Sequence, residues 1–135
     1  IVVKHAELRN AIGDSEFFFE NEDGRIVLLF PLFDCVIIGT SDIPVEFPDD
    51  VRCTNDEINY FLDLVLRIFP TIELSRSDIV FQFSGVRPLP HSGAKTTGQI
   101  SRDHSIEVLS GAWTNLAFPG YSLVGGKWTS FRAVA

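Results

Sequence analysis

Hydrophobic and polar positions follow one another along this chain in short blocks, and each block predicts an element. Residues 1–3 read as a strand, whereas residues 4–15 are polar and mixed and read as a loop or insertion. Two hydrophobic runs, 17–20 and 25–30, flank Asn21-Glu22-Asp23-Gly24. Asp-Gly between such runs predicts a hairpin, because glycine takes the positive φ that these turns need. A third run, 35–38, is rich in β-branched residues and stops at Gly39, so the three strands predict an antiparallel meander. Cys35 falls inside that run and reads as a small core residue.

Residues 54–69 change the period. Ile58, Phe61, Leu62, Val65 and Phe69 recur at helical spacing, Thr54 followed by Glu57 fits a capping box, and Pro70 ends the pattern. A helix with one apolar stripe must lie on another surface, and the strands supply it. Further strands are expected at 79–83, 105–109 and 115–118, and residues 125–133 read as a turn opening into a helix. The pattern predicts an α+β fold in one continuous domain, 1–135. Its mixed, mostly antiparallel sheet would carry the long amphipathic helix 54–69.

Composition narrows the function classes. The chain has 135 residues, 45% hydrophobic and 21% charged, enough apolar side chain to fill a core and too much for disorder. Its net charge of −7 speaks against general nucleic-acid binding, which needs a basic face. Two cysteines are too few for a disulfide scaffold, and the three scattered histidines show no metal-binding spacing, so no metal is expected. The chain lacks methionine and starts at Ile1, which leads us to expect an excised piece of a longer protein. Charge is uneven: residues 1–70 carry 14 acidic and 5 basic side chains, and residues 71–135 carry 4 and 6. A basic half in an acidic chain suits a small anion, although clustered solvated cations explain it equally well.

Three segments of that half carry candidate chemistry. Gly125-Gly126 permits close backbone approach to a ligand, with Thr129 and Ser130 at a helix start whose free amides attract anionic oxygens; an ordinary capped turn is the alternative. Arg87 follows a strand within Ser84-Gly85-Val86-Arg87-Pro88-Leu89, and Arg102 precedes one within Ser101-Arg102-Asp103-His104. Guanidinium groups at strand ends suit bidentate binding of phosphate or carboxylate. A surface ion pair of Arg102 with Asp103 or Glu107 is the alternative.

Taken together, SGVRPL at 84–89, SRDH at 101–104 and GGKWTSFR at 125–132, after NEDGRIVLLFPLFDCVIIGTSD at 21–42, form a set. The set resembles the FAD-dependent glycerol-3-phosphate dehydrogenases and the related oxidases, from about Glu20 onward. Those enzymes show a GRI-strand-GT[TS]D block, SGVRPL, [ST]RDY and GGK[LI]TTYR. His104 and Phe131 stand where the family usually has Tyr, and Trp128 is bulkier than the usual Leu or Ile. The family's Gly-rich dinucleotide fingerprint and its helical C-terminal region do not occur in this chain.

The resemblance implies the second, substrate-binding domain of a D-amino-acid-oxidase-like flavoprotein that oxidises glycerol 3-phosphate to dihydroxyacetone phosphate. FAD would be the cofactor in the parent enzyme, unbound by the fragment alone, and quinone or oxygen the electron acceptor. A cytoplasmic parent, peripheral on the inner face of the membrane, is implied as well. By the same resemblance Arg87 is the catalytic residue, Arg102 and Lys127 bind substrate, and Gly126, Lys127 and Thr129 contact the flavin. Arginine keeps its proton in proteins, so Arg87 would stabilise a developing alkoxide rather than act as base. His104 is an outside candidate for that base. Arg87, Arg102 and Lys127 are expected on one face of the sheet. An amino-acid oxidase domain and a non-catalytic anion-binding domain are the rival readings.

Overall fold

A computed structural model describes residues 1–87, 89, 97–101, 103–109 and 118–134, with Trp128 and Val134 described by main chain only. The chain divides into two compact units, 1–86 and 87–135. Their charges differ in sign: the first carries 16 acidic and 6 basic side chains, net −10, and the second 2 and 5, net +3.

The first unit is an antiparallel sheet with helices on it. Strands β1 (Val2–Val3), β2 (Phe17–Glu20), β3 (Ile26–Leu32), β4 (Cys35–Gly39) and β5 (Ile79–Phe81) lie in the order β2-β3-β4-β1-β5. The meander β2-β3-β4 is as expected, with Phe17 opposite Leu29 and Leu29 opposite Ile38. Gly24 closes the first hairpin at φ 77°. Helix α2 (Asn55–Ile68) takes the expected span, capped by Thr54 and ended at Phe69. It buries Ile58, Phe61, Leu64 and Val65 against Val3, Val27, Leu29, Val36 and Ile38. Leu64 therefore joins the stripe, while Leu62 and Phe69 pack at its margin.

Three expectations need correction. Residues 4–15 are no loop: helix α1 (Ala6–Ile12) fills the segment and buries Leu8 and Ile12 in the same core. Its cap is unusual, the His5 side chain accepting from the Leu8 amide at 3.3 Å, and Gly13 ends it at φ 57°. Cys35 is not a core residue but a half-buried one beside Asp34, and it is Cys53 that packs against the core. The strand expected at 79–83 stops at Phe81.

The second unit holds one described hairpin, β6 (Ser105–Leu109) with β7 (Gly120–Val124). Strand 105–109 is as expected. Of the strand expected at 115–118, residues 115–117 lie outside the described residues and Phe118 sits in a bend; the strand that pairs with β6 begins two residues later. Beyond β7 come a turn, a 3-10 helix (Trp128–Ser130) and α3 (Phe131–Val134), as residues 125–133 predict. Among the described residues no helix is long and apolar enough to cross a membrane.

Candidate functional site

The register of the second hairpin brings two of the three motif segments together. Ser105 pairs with Val124, so the chain just before β6 meets the chain just after β7. Asp103 and His104 lie against Gly125 and Gly126: a Cβ on Gly125 would stand 2.7 Å from the Asp103 carbonyl oxygen, and one on Gly126 3.9 Å from His104 Cβ. Both glycines hold positive φ, 80° and 101°. Residues 103–104, the last two of SRDH, and Gly125-Gly126, the first two of GGKWTSFR, thus share the open end of one hairpin although 21 positions separate His104 from Gly125.

The turn after the glycines is tied from within. The Lys127 amide donates to Ser130 Oγ at 3.1 Å, and the Ser130 hydroxyl and amide both donate to the Lys127 carbonyl at 3.0 Å. Lys127 and Thr129 are exposed, and their side chains have no hydrogen-bond or ion-pair partner among the described residues. On the opposite strand the Asp103 amide donates to Ser101 Oγ at 3.2 Å, and Asp103 Oδ1 accepts from the His104 amide at 3.0 Å. His104 Nδ1 comes within 3.3 Å of the same carboxylate without hydrogen-bonding to it.

Arg87 opens the second unit and is exposed. Arg102 lies outside the described residues, so the common face expected for Arg87, Arg102 and Lys127 rests on a position the structure does not describe. Two clefts lie in the first unit, and neither contains Arg87 or a residue of the SRDH or GGKWTSFR segments. One, of about 200 Å³, is lined by Glu22, Asp23 and Asp63 beside Tyr60 and Arg67, a poor lining for an anion. The other, of about 500 Å³, includes Arg76, whose guanidinium already donates to Asn55 Oδ1 and Asn59 Oδ1, each at 2.7 Å.

A dinucleotide cofactor needs main chain that it can approach closely. Gly126 offers this, since the nearest atom to a Cβ there is 3.9 Å away and the residue is exposed. The Lys127 amide is engaged by Ser130, so Gly126 and Thr129 suit the contact better than the Lys127 main chain does. The turn therefore fits the edge of such a group. Ser130 and Asp103 are the residues sequence reading undervalued. A serine three residues after Lys127 is the signal for the first; the second shows only through the hairpin register.

Known proteins are similar to this chain in sequence. The chain is 36% identical over 113 residues to a glycerol-3-phosphate dehydrogenase of Synechocystis, covering 83% of this chain and 20% of that one. It is 37% identical over 121 residues to the aerobic glycerol-3-phosphate dehydrogenase of Escherichia coli, 88% of this chain and 23% of that one. A D-erythritol 1-phosphate dehydrogenase of Brucella abortus is 34% identical over 127 residues, 91% of this chain and 24% of that one. The chain thus spans about a fifth to a quarter of the length of these relatives. Residues 1–130 match the DAO family, described as FAD dependent oxidoreductase, and with that match over nearly its whole length the chain belongs to that family.

Proposed function

We propose that the chain is the substrate-binding part of an FAD-dependent dehydrogenase that oxidises glycerol 3-phosphate to dihydroxyacetone phosphate. The observation that carries this reading is the hairpin end, where residues 103–104 lie against 125–126 and the SRDH and GGK segments meet. The relatives' names point to the same substrate class. FAD, when bound, accepts the hydride from the second carbon of the substrate.

Each residue then has a separable task. Arg102 and Lys127 hold the phosphate, whose two negative charges two cations of the net-positive unit would balance. Arg87 orients the reacting hydroxyl and stabilises the charge left on its oxygen as the proton departs. Gly126 and Thr129 meet the cofactor edge, with Lys127 adding positive charge beside it. The group that takes the hydroxyl proton lies outside this chain in our reading. Quinone or oxygen receives the electrons afterwards, and the enzyme works in the cytoplasm, peripheral on the inner face of the membrane.

A second reading keeps the chemistry and lengthens the substrate, as the relative named for D-erythritol 1-phosphate suggests. One experiment separates the possibilities. The full-length protein is made anaerobic and mixed with glycerol 3-phosphate, D-erythritol 1-phosphate or a D-amino acid, and the flavin absorbance is followed. Bleaching fastest by glycerol 3-phosphate is expected. Bleaching by the amino acid alone overturns the reading, since the arginines would then serve a carboxylate.

A further inference from the structure

We infer that Gly125 is a positioning residue: by lacking a side chain it lets the Asp103 main chain pass against the turn, and so sets the spacing between the segments that carry Arg102 and Lys127. The inference rests on the proposed substrate site and names what holds it together.

Two adjacent glycines here do different work. Both have positive φ, 80° at Gly125 and 101° at Gly126, so both meet a conformational need. Only Gly125 also meets a need for space. A Cβ there would sit 2.7 Å from the Asp103 carbonyl oxygen, 3.7 Å from its carbon and 3.9 Å from His104 Cα, whereas ordinary contact begins at 3.4 Å. All three atoms are main chain, so no side-chain rotation relieves the overlap; one strand end must move away from the other. At Gly126 the nearest atom is 3.9 Å away and nothing needs to shift.

The hairpin itself does not depend on this contact. Five register pairs, from Ser105 opposite Val124 to Leu109 opposite Gly120, hold β6 to β7. A methyl group at 125 would splay the open end while those pairs persist. The displaced parts are residues 103–104, which follow Arg102 in sequence, and the turn at 126–127, which contains Lys127, the other proposed phosphate ligand. Recognition by two cations falls off steeply when their separation is wrong, so anion affinity should suffer before stability does.

The test uses the full-length, flavin-loaded enzyme and two alanine variants. Gly24 shares the positive φ, at 77°, but has only the tip of the Glu20 side chain within reach, at 3.8 Å, and it lies in the first unit's hairpin. Gly24→Ala therefore reports backbone strain without the overlap. Binding of inorganic phosphate and of glycerol 3-phosphate is read from the perturbed flavin spectrum, beside FAD content and the unfolding midpoint. Gly125→Ala is expected to weaken both ligands by about tenfold or more, with FAD content kept and a midpoint no lower than that of Gly24→Ala. Affinity within twofold of wild type overturns the inference alone. Wild-type enzyme that binds neither ligand overturns the site reading and this inference with it. Should Gly125→Ala give no loaded enzyme, adding Asp103→Gly decides: the freer backbone at 103 should restore loaded enzyme, and no restoration overturns the contact's role.

Discussion

Glu57 and Thr54 close on each other at the start of α2. The Glu57 carboxylate accepts from the Thr54 amide at 2.7 Å and its hydroxyl at 2.8 Å, while Thr54 Oγ1 accepts from the Glu57 amide at 3.2 Å. The other carboxylate oxygen accepts from Ser41 at 2.6 Å, just beyond β4. One side chain thus satisfies the Thr54 amide at the helix start and ties the GTSD turn to the helix.

This cap sets a pH dependence. Burial by itself would raise the Glu57 pKa, but the hydrogen bonds from Ser41 and Thr54 outweigh it and hold the carboxyl below its usual range. A depressed folded pKa stabilises the fold fully above the unfolded value of about 4.3, and the benefit fades as pH falls through the folded value. Glu57→Gln should therefore flatten the loss of stability below about pH 4.3, and Thr54→Ala should cost about 1 kcal/mol at neutral pH. Urea unfolding of wild type and both variants across pH measures this. Parallel pH profiles for wild type and Glu57→Gln would remove Glu57 as the cause.

Ser130 holds Lys127 through both its main-chain groups, so its loss should loosen the turn rather than the fold. In the full-length enzyme Ser130→Ala is expected to raise the Michaelis constant for glycerol 3-phosphate severalfold with a smaller change in turnover. Ser130→Thr keeps the hydroxyl and should restore the affinity. If Thr fails to rescue what Ala loses, the hydroxyl is not what positions the lysine.

The chain alone should bind FAD poorly, because the turn at 126–129 offers only an edge contact. Adding the purified chain to FAD and following flavin fluorescence gives the answer. Fluorescence should stay close to that of free FAD; tight, stoichiometric quenching would show that these residues suffice.

What the sequence made legible follows from how strongly each signal was local. Helix 54–69 carried its cap, stripe and stop within one window, and the Asp-Gly hairpin carried its turn residues beside its strands. Helix α1 hid because only Leu8 and Ile12 mark its buried face, and because histidine is a rare cap. Strand Gly120–Val124 hid behind Pro119 and opens on glycine, a poor strand former. The motif segments were legible one by one, but the meeting of 103–104 with 125–126 depends on β6–β7 register, which no short window contains. The roles of Gly125 and Asp103 follow from that pairing and were invisible for the same reason.

The division of labour between the arginines gives the sharpest functional test. A phosphate contact made equally in the ground and transition states changes affinity, whereas a group that meets the developing alkoxide changes turnover. In the full-length enzyme Arg102→Ala should therefore raise the Michaelis constant for glycerol 3-phosphate, with turnover falling much less. Arg87→Lys keeps the charge but loses the fixed guanidinium fork, and a lysine of different reach cannot hold the hydroxyl in the same line. Turnover should drop by about a hundredfold while substrate affinity changes little. The two variants should also differ toward inorganic phosphate as a competitor: Arg102→Ala should weaken its inhibition, and Arg87→Lys should leave it nearly intact. Steady-state kinetics with and without phosphate reads all three quantities at once. If Arg87→Lys moves only the Michaelis constant, Arg87 belongs with the phosphate ligands, and the alkoxide must be met by a residue from outside this chain.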